Sequence, residues 1–153
     1  MKWLIMIIII MLDQLSKYWV LLKLKPMGTL PVFEGIFHLH YLENRGAAFG
    51  LFQNQRLFFI LFTFIIVSGI IWYLIQNQEI NKILMISLSL IAGGAVGNLI
   101  DRALYGYVID FLDFQFWPVF NIADAAIVVG QMLLVYFIIK DHIHSMKEDG
   151  GRS

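Results

Sequence analysis

Four long apolar runs, separated by shorter polar stretches, make up most of this 153-residue chain. They cover residues 3–24, 57–75, 83–104 and 119–139. About 20 mostly apolar residues suffice to cross a bilayer core. In lipid, a backbone can satisfy its polar groups only as a helix or within a closed barrel. The runs are longer than a barrel strand needs, so each predicts a membrane-spanning helix. The second carries no charge at all, whereas Asp13, Ser16 and Lys17 interrupt the first. The third is uncharged until Asp101 and Arg102, and the fourth contains Asn121, Asp124 and Gln131.

The connections differ in kind. Spans two and three are joined by a short polar turn at 76–82. The first loop, 25–56, contains Pro26, Gly28 and Pro31 and then a hairpin pattern. Val32 and Phe33, the turn Glu34-Gly35 and residues 36–42 predict two short strands. The connection between spans three and four is an aromatic loop with Tyr105, Tyr107, Phe111, Phe114, Phe116 and Trp117, residue types that favour the bilayer interface. The expected domain is 1–140, followed by a polar tail at 141–153 without regular structure. The N-terminal run is expected to be a retained span, not a cleaved leader. No small-residue cleavage site follows it, only Asp13-Gln14-Leu15-Ser16-Lys17 and more apolar residues.

Four spans put both termini on one side. Every unusual polar residue then falls toward the other face. Asp13 and Lys17 lie in the second half of span one, and Asn44 and Arg45 in the first loop. Asn98, Asp101 and Arg102 end span three, Asp110 follows in the loop, and Asn121 and Asp124 open span four. Within helices, Asp13 and Lys17 are four apart and can neutralise one another. Asn98, Asp101 and Arg102 share a face, and Asp101 beside Arg102 reads as a helix-end ion pair. Gly93 and Gly97 form a small-residue pair that lets another helix approach closely. Asp113 reads as solvated.

Composition narrows the chemistry. With 59% hydrophobic residues the chain is too apolar for a soluble domain of its size. Eleven basic and eleven acidic residues leave no net charge, so nucleic acid is not an expected partner. The absence of cysteine excludes thiolate nucleophiles, disulfides and Cys-ligated metals. His38 and His40 alternate on a predicted strand, but with no third ligand they make a weak metal site. His142 and His144 fall in the polar tail. No HExxH motif or phosphate loop is present. Carboxylates remain, with Asn, Arg and Lys around them. A charge at membrane depth is by default a functional hypothesis. Two neighbouring carboxylates share a proton, so one can serve as base on a water and the other as acid. Asp110 and Asp124 form such a pair, although the residues alone leave Asp101 as a second candidate partner for Asp124. An ion-coupled transporter or a non-enzymatic membrane scaffold are the rival readings. The first is disfavoured because the polar residues stop at one face.

Five segments in order resemble the bacterial lipoprotein signal peptidases (signal peptidase II): DQLSK at 13–17, NRGAAFG at 44–50, GGAVGNLIDR at 93–102, VIDF at 108–111 and FNIAD at 120–124. The resemblance implies an all-α integral membrane protein of four transmembrane helices with a small extracytoplasmic β-sheet in the first loop. It implies an aspartic endopeptidase that cleaves diacylglyceryl-prolipoproteins just before the lipid-modified cysteine, with no cofactor or metal. Asp110 and Asp124 would be the catalytic dyad. Asn98, Asp101, Arg102 and Asn121 would organise the site, Asn44 would belong to a covering loop, and Asp13 and Lys17 would brace the site. The family places both termini in the cytoplasm and the site on the extracytoplasmic side of the bacterial cytoplasmic membrane. Loop charges alone are too evenly spread to decide this. Prolipoproteins and membrane lipid are the expected partners, and a monomer is expected.

Overall fold

The computed structural model describes residues 1–46 and 55–150, with side chains up to 146. Part of the NRGAAFG segment, 47–50, lies outside the described residues. Four helices form the body: α1 (Lys2–Trp19), α2 (Arg56–Gln76), α3 (Lys82–Leu104) and α4 (Ile122–Gly150). A π-helical turn, Val20–Leu24, prolongs α1 without a break. Together they make a 23-residue span, about 35 Å at 1.5 Å per residue. All four helices are long and apolar enough to cross a membrane. The chain is an integral membrane protein.

The helix bounds follow local chemistry. Asn81 caps α3 by accepting a 2.8 Å hydrogen bond from the Ile83 amide. After the π turn, Gly28 adopts a left-handed φ of 78° and donates its amide to the Leu24 carbonyl, which turns the chain into the first strand. Gly106, with φ of 84°, ends α3 in the same conformation. α4 begins at Ile122, three residues later than the apolar run suggests, because Phe120 is held in an isolated bridge to Leu112. At its other end α4 continues to Gly150. Residues 141–150 are therefore helical, not the unstructured tail expected.

A three-stranded antiparallel sheet lies at the end of the bundle where α1 and α3 finish. β1 (Thr29–Phe33) and β2 (Phe37–Asn44) form the expected hairpin, and β3 (Val108–Asp113) adds to β2. β3 corrects the reading of 105–117 as a loop. It opposes Leu42 with Asp110 and Asn44 with Val108. The sheet is fastened to the helices by a buried cluster of Val20, Leu24, Ile109 and Phe111, against which Ile122 packs.

Most large apolar side chains of the helices are exposed, such as Ile7, Phe64, Ile65 and Met132. With lipid as solvent, helix association rests on close packing of small residues. α3 is the hub, touching α1, α2 and α4. A Cβ on Gly93 would meet Met6 and Ile9 of α1 at 3.2 Å, and one on Gly130 would meet the Ser87 carbonyl at 2.9 Å. At Gly94 a Cβ would drive into the carbonyl oxygen of Ala123. The small-residue stripe is thus a packing device, as expected. We predict that Gly94→Ala lowers stability by about 1–3 kcal/mol, the cost of overpacking. A reduced melting temperature in detergent is the check. Because Ala123 precedes Asp124, turnover per folded molecule should fall as well.

Candidate active site

The polar residues singled out in the sequence meet where α1, α3, β3 and α4 converge. The register of β2 on β3 puts Asn44 diagonally beside Asp110, and Asn44 Nδ2 donates to Asp110 Oδ2 at 2.8 Å. The bridge between Phe120 and Leu112 returns the chain alongside β3. Asn121 and the first turn of α4 are thereby delivered next to Asp110.

Asn121 joins the two halves. Its Nδ2 donates to Asp110 Oδ1 at 2.7 Å and to Asn98 Oδ1 at 3.1 Å. Its Oδ1 accepts the Asp124 amide at 2.9 Å, which fixes which way its side-chain amide points. Asn98 Nδ2 in turn donates to Asp124 Oδ1 at 2.7 Å. Each of Asp110 and Asp124 therefore receives a side-chain amide.

Asp110 and Asp124 line one cavity of about 1080 Å³, together with Asn44, Asn98 and Arg102. The rest of the lining is mostly apolar and includes Phe114, Phe116, Trp117, Ile127 and Val128. Polar groups and apolar side chains therefore share the lining of one void. Burial pushes the Asp110 carboxyl up, the nearby Asp124 carboxylate pushes it further, and donation from Asn44 and Asn121 and the charge of Lys17 only partly offset both; it titrates at about 7.

Asp101 and Arg102 do not form the expected ion pair. Neighbours on a helix point in different directions. Asp101 turns inward, is fully buried, and pairs with Lys17 at 2.8 Å. Its Oδ1 accepts from Gln14 at 3.0 Å. Arg102 turns to the cavity, donates to the Gly46 carbonyl at 3.0 Å and stacks its guanidinium over Phe59 at 4.7 Å. Asp101 is absent from the cavity lining, so geometry sets it apart from Asp110 as a neighbour for Asp124. Asp13 and Lys17 form the expected pair at 2.9 Å, and both are buried. Lys17 also donates to Asn98 Oδ1 at 3.0 Å.

Two contributors went unread in the sequence. Gln14 ties α1 to α3 through the Gly97 carbonyl at 3.1 Å and Asp101. Glu43 stands on the cavity rim, accepting from Tyr41 at 3.0 Å and from Lys25 and Arg45 at 3.3 Å each. Asp113 accepts from the Gln115 amide and side chain at 2.8 Å each, at the turn after β3. His40 Nδ1 lies 2.7 Å from Thr29 Oγ1 on the outer hairpin. Among the described residues, no three His, Cys, Asp or Glu gather as metal ligands, and every buried side-chain nitrogen or oxygen has a partner.

The arrangement is similar to that of known proteins. The family model described as Signal peptidase (SPase) II matches residues 5–140. A lipoprotein signal peptidase of Caldanaerobacter subterraneus subsp. tengcongensis is 49% identical over 132 residues, covering 86% of this chain and 90% of that protein. One from Halothermothrix orenii is 42% identical over 138 residues, covering 90% and 94%. A bacterial membrane enzyme solved by the in meso method at 2.3 Å superposes with a TM-score of 0.85 at 31% identity, covering 92% of this chain and 88% of the other.

Proposed function

The chain belongs to the signal peptidase II family, and on that premise we propose that it removes signal peptides from lipoprotein precursors as a membrane-embedded aspartic endopeptidase. It cleaves diacylglyceryl-modified prolipoproteins just before the modified cysteine. The observation that carries the reading is that Asp110 and Asp124 face one cavity and are bridged by Asn121. Two carboxylates so coupled hold one proton between them. The ionised one takes a proton from water as the oxygen attacks the scissile carbonyl carbon. The protonated one gives its proton to the carbonyl oxygen. Collapse of the tetrahedral diol returns a proton to the amide nitrogen. The C–N bond breaks, leaving a carboxyl on the signal peptide and a free amine on the cysteine.

The mixed polar and apolar lining of the cavity suits this substrate. The diacylglyceryl group and the apolar signal helix lie in the membrane and can meet the apolar lining, while Arg102, Asn44 and Asn98 address backbone or headgroup. In this reading both termini are cytoplasmic, the site faces the extracytoplasmic side of the bacterial cytoplasmic membrane, and a single chain suffices. The test is cleavage by purified protein of a prolipoprotein with and without its lipid. Each buried methylene contributes about 0.8 kcal/mol, so a few used in the transition state give a preference of about 100-fold for the lipidated form. Equal kcat/KM for both forms would refute lipid recognition.

A further inference from the structure

One polar side chain within the spans serves neither the cavity lining nor helix packing. Gln131 of α4 is exposed and hydrogen-bonds to none of the described residues. It stands about 14 Å along the helix from Ile122, near the middle of a bilayer core about 30 Å thick. Lipid offers a side-chain amide no partner there, and leaving one unpaired costs free energy. Its place on the helix is informative. Residues seven apart return to nearly the same direction, so Gln131 lies on the line of Asp124, about 10.5 Å deeper. Val128 stands between them on that face, and Asp124 and Val128 both line the cavity. Met132 and Val135 continue the face and are exposed. The packed side of α4 is a different one, marked by the buried Ala123, Ala126 and Gly130.

We propose that this face of α4 receives the signal segment of the precursor, and that the Gln131 side chain donates to a backbone carbonyl at the end of the signal helix. This rests on the precursor-cleaving activity assigned above. A bond inside a helix is wrapped by side chains and its carbonyl is engaged, so the chain beside the cut must be extended to meet both aspartates. The signal helix therefore stops inside the membrane. Its last four carbonyls have no partner of their own, and hydrocarbon makes each of them costly. Extended chain covers about 3.3 Å per residue, so three residues descend about 10 Å from the dyad. That equals the drop from Asp124 to Gln131. The end of the signal helix thus arrives level with an amide that carries two N–H donors. The acceptor is one of the carbonyls four to seven residues before the cut. Beyond Asp124 the face is apolar apart from Gln131, with Val128, Met132 and Val135 free to pack on the signal helix. A bond to backbone makes no demand on the side chains of the signal segment, so precursors of different sequence can use it.

The test compares wild type with Gln131→Met, which keeps the length of the side chain and loses its polar end. Taking an amide out of lipid removes a burial cost, so the variant should fold. A hydrogen bond between membrane segments is worth about 3- to 20-fold in affinity. We expect KM for a lipidated precursor to rise by about that factor, with kcat within about 2-fold, the pattern of lost ground-state binding. Precursors with a backbone ester after each of the fourth to seventh residues before the cut weaken one carbonyl at a time. One of them should raise KM for wild type and leave Gln131→Met unaffected, because both changes remove the same bond. A second measurement needs no turnover. The chain has no cysteine, so Met132→Cys and Val135→Cys each give the enzyme a single thiol. Both should form a disulfide with a cysteine placed in the signal helix of a lipidated precursor whose scissile amide is a methylene-amine. Phe64→Cys on α2, exposed but outside the cavity lining, should not. Unchanged KM in Gln131→Met, or equal cross-linking from α2, overturns the proposal. So does a wild-type dimer that Gln131→Met splits into monomers, since the glutamine would then pair two copies of the chain. Cross-linking at α4 without any cleavage by wild type refutes the activity and leaves the docking face standing; cleavage without cross-linking does the reverse.

Discussion

Replacing either Asp110 or Asp124 with asparagine is expected to lower kcat on a lipidated prolipoprotein by about 10³-fold or more, the scale set by losing general acid–base catalysis. Asparagine keeps the shape of the side chain but can neither take a proton from water nor hold one for the carbonyl. The fold should survive. At Asp110 both oxygens accept amide donors, from Asn44 at 2.8 Å and Asn121 at 2.7 Å. An asparagine there sets its own NH₂ against one of them, at a cost of about 1–3 kcal/mol. Asp124 receives Asn98 at 2.7 Å and loses at most a comparable amount on substitution. The apolar lining of the cavity is untouched, so KM should stay within a few-fold. Asp113→Asn is the control: Asp113 bonds only to Gln115 among the hydrogen bonds described, and turnover should stay within about 2-fold, as for a peripheral substitution. Steady-state kinetics with melting curves decide the matter. If either dyad variant keeps more than a tenth of wild-type kcat, the assignment is wrong.

The membrane architecture was legible because lipid demands it. Residues 57–75 carry no charge, and the helix Arg56–Gln76 exceeds that run by one residue at each end. The convergence of polar residues on one face was legible for the same reason, since each is expensive elsewhere. β3 was not. Its first four residues, Val108 to Phe111, are buried on both faces. A strand buried on both sides has no alternation of polar and apolar positions to read, and aromatic neighbours made the segment look like an interfacial loop. The partners of Asp101 and Gln14 were hidden differently. Spacing rules report neighbours on the same helix, whereas both residues spend their polar atoms on contacts between elements. Adjacency suggested Arg102 for Asp101, although consecutive helical residues diverge. Asp101 and Asp110 are alike in sequence but differ in surroundings: Lys17 and Gln14 occupy Asp101, whereas Asp110 lines the cavity.

The second large effect is on pH. A pair sharing one proton gives a bell-shaped rate profile, active where one proton is bound and inactive where the pair holds two or none. Burial, and then the charge of Asp124, raise Asp110 from 3.8 to about 7, so the alkaline limb should bend near that value. Stability must follow with a definite sign. The folded Asp110 holds its proton more tightly than the unfolded chain does. Its contribution is therefore fully present below the unfolded value of 3.8 and is lost as pH rises through about 7. At about 1.4 kcal/mol per pH unit, the gap between 3.8 and about 7 limits the loss to about 4 kcal/mol. The wild-type protein should become easier to unfold between about pH 5 and about pH 8, a range that brackets the folded value of about 7. Asp110→Asn, which has no proton to lose, should show a flatter dependence over the same range. The difference between the two curves isolates Asp110 from the other titrating groups. Parallel curves, or a wild-type rate profile that stays level from pH 5 to beyond about 9, would mean that Asp110 is an ordinary ionised carboxylate and that the two aspartates do not act as a pair.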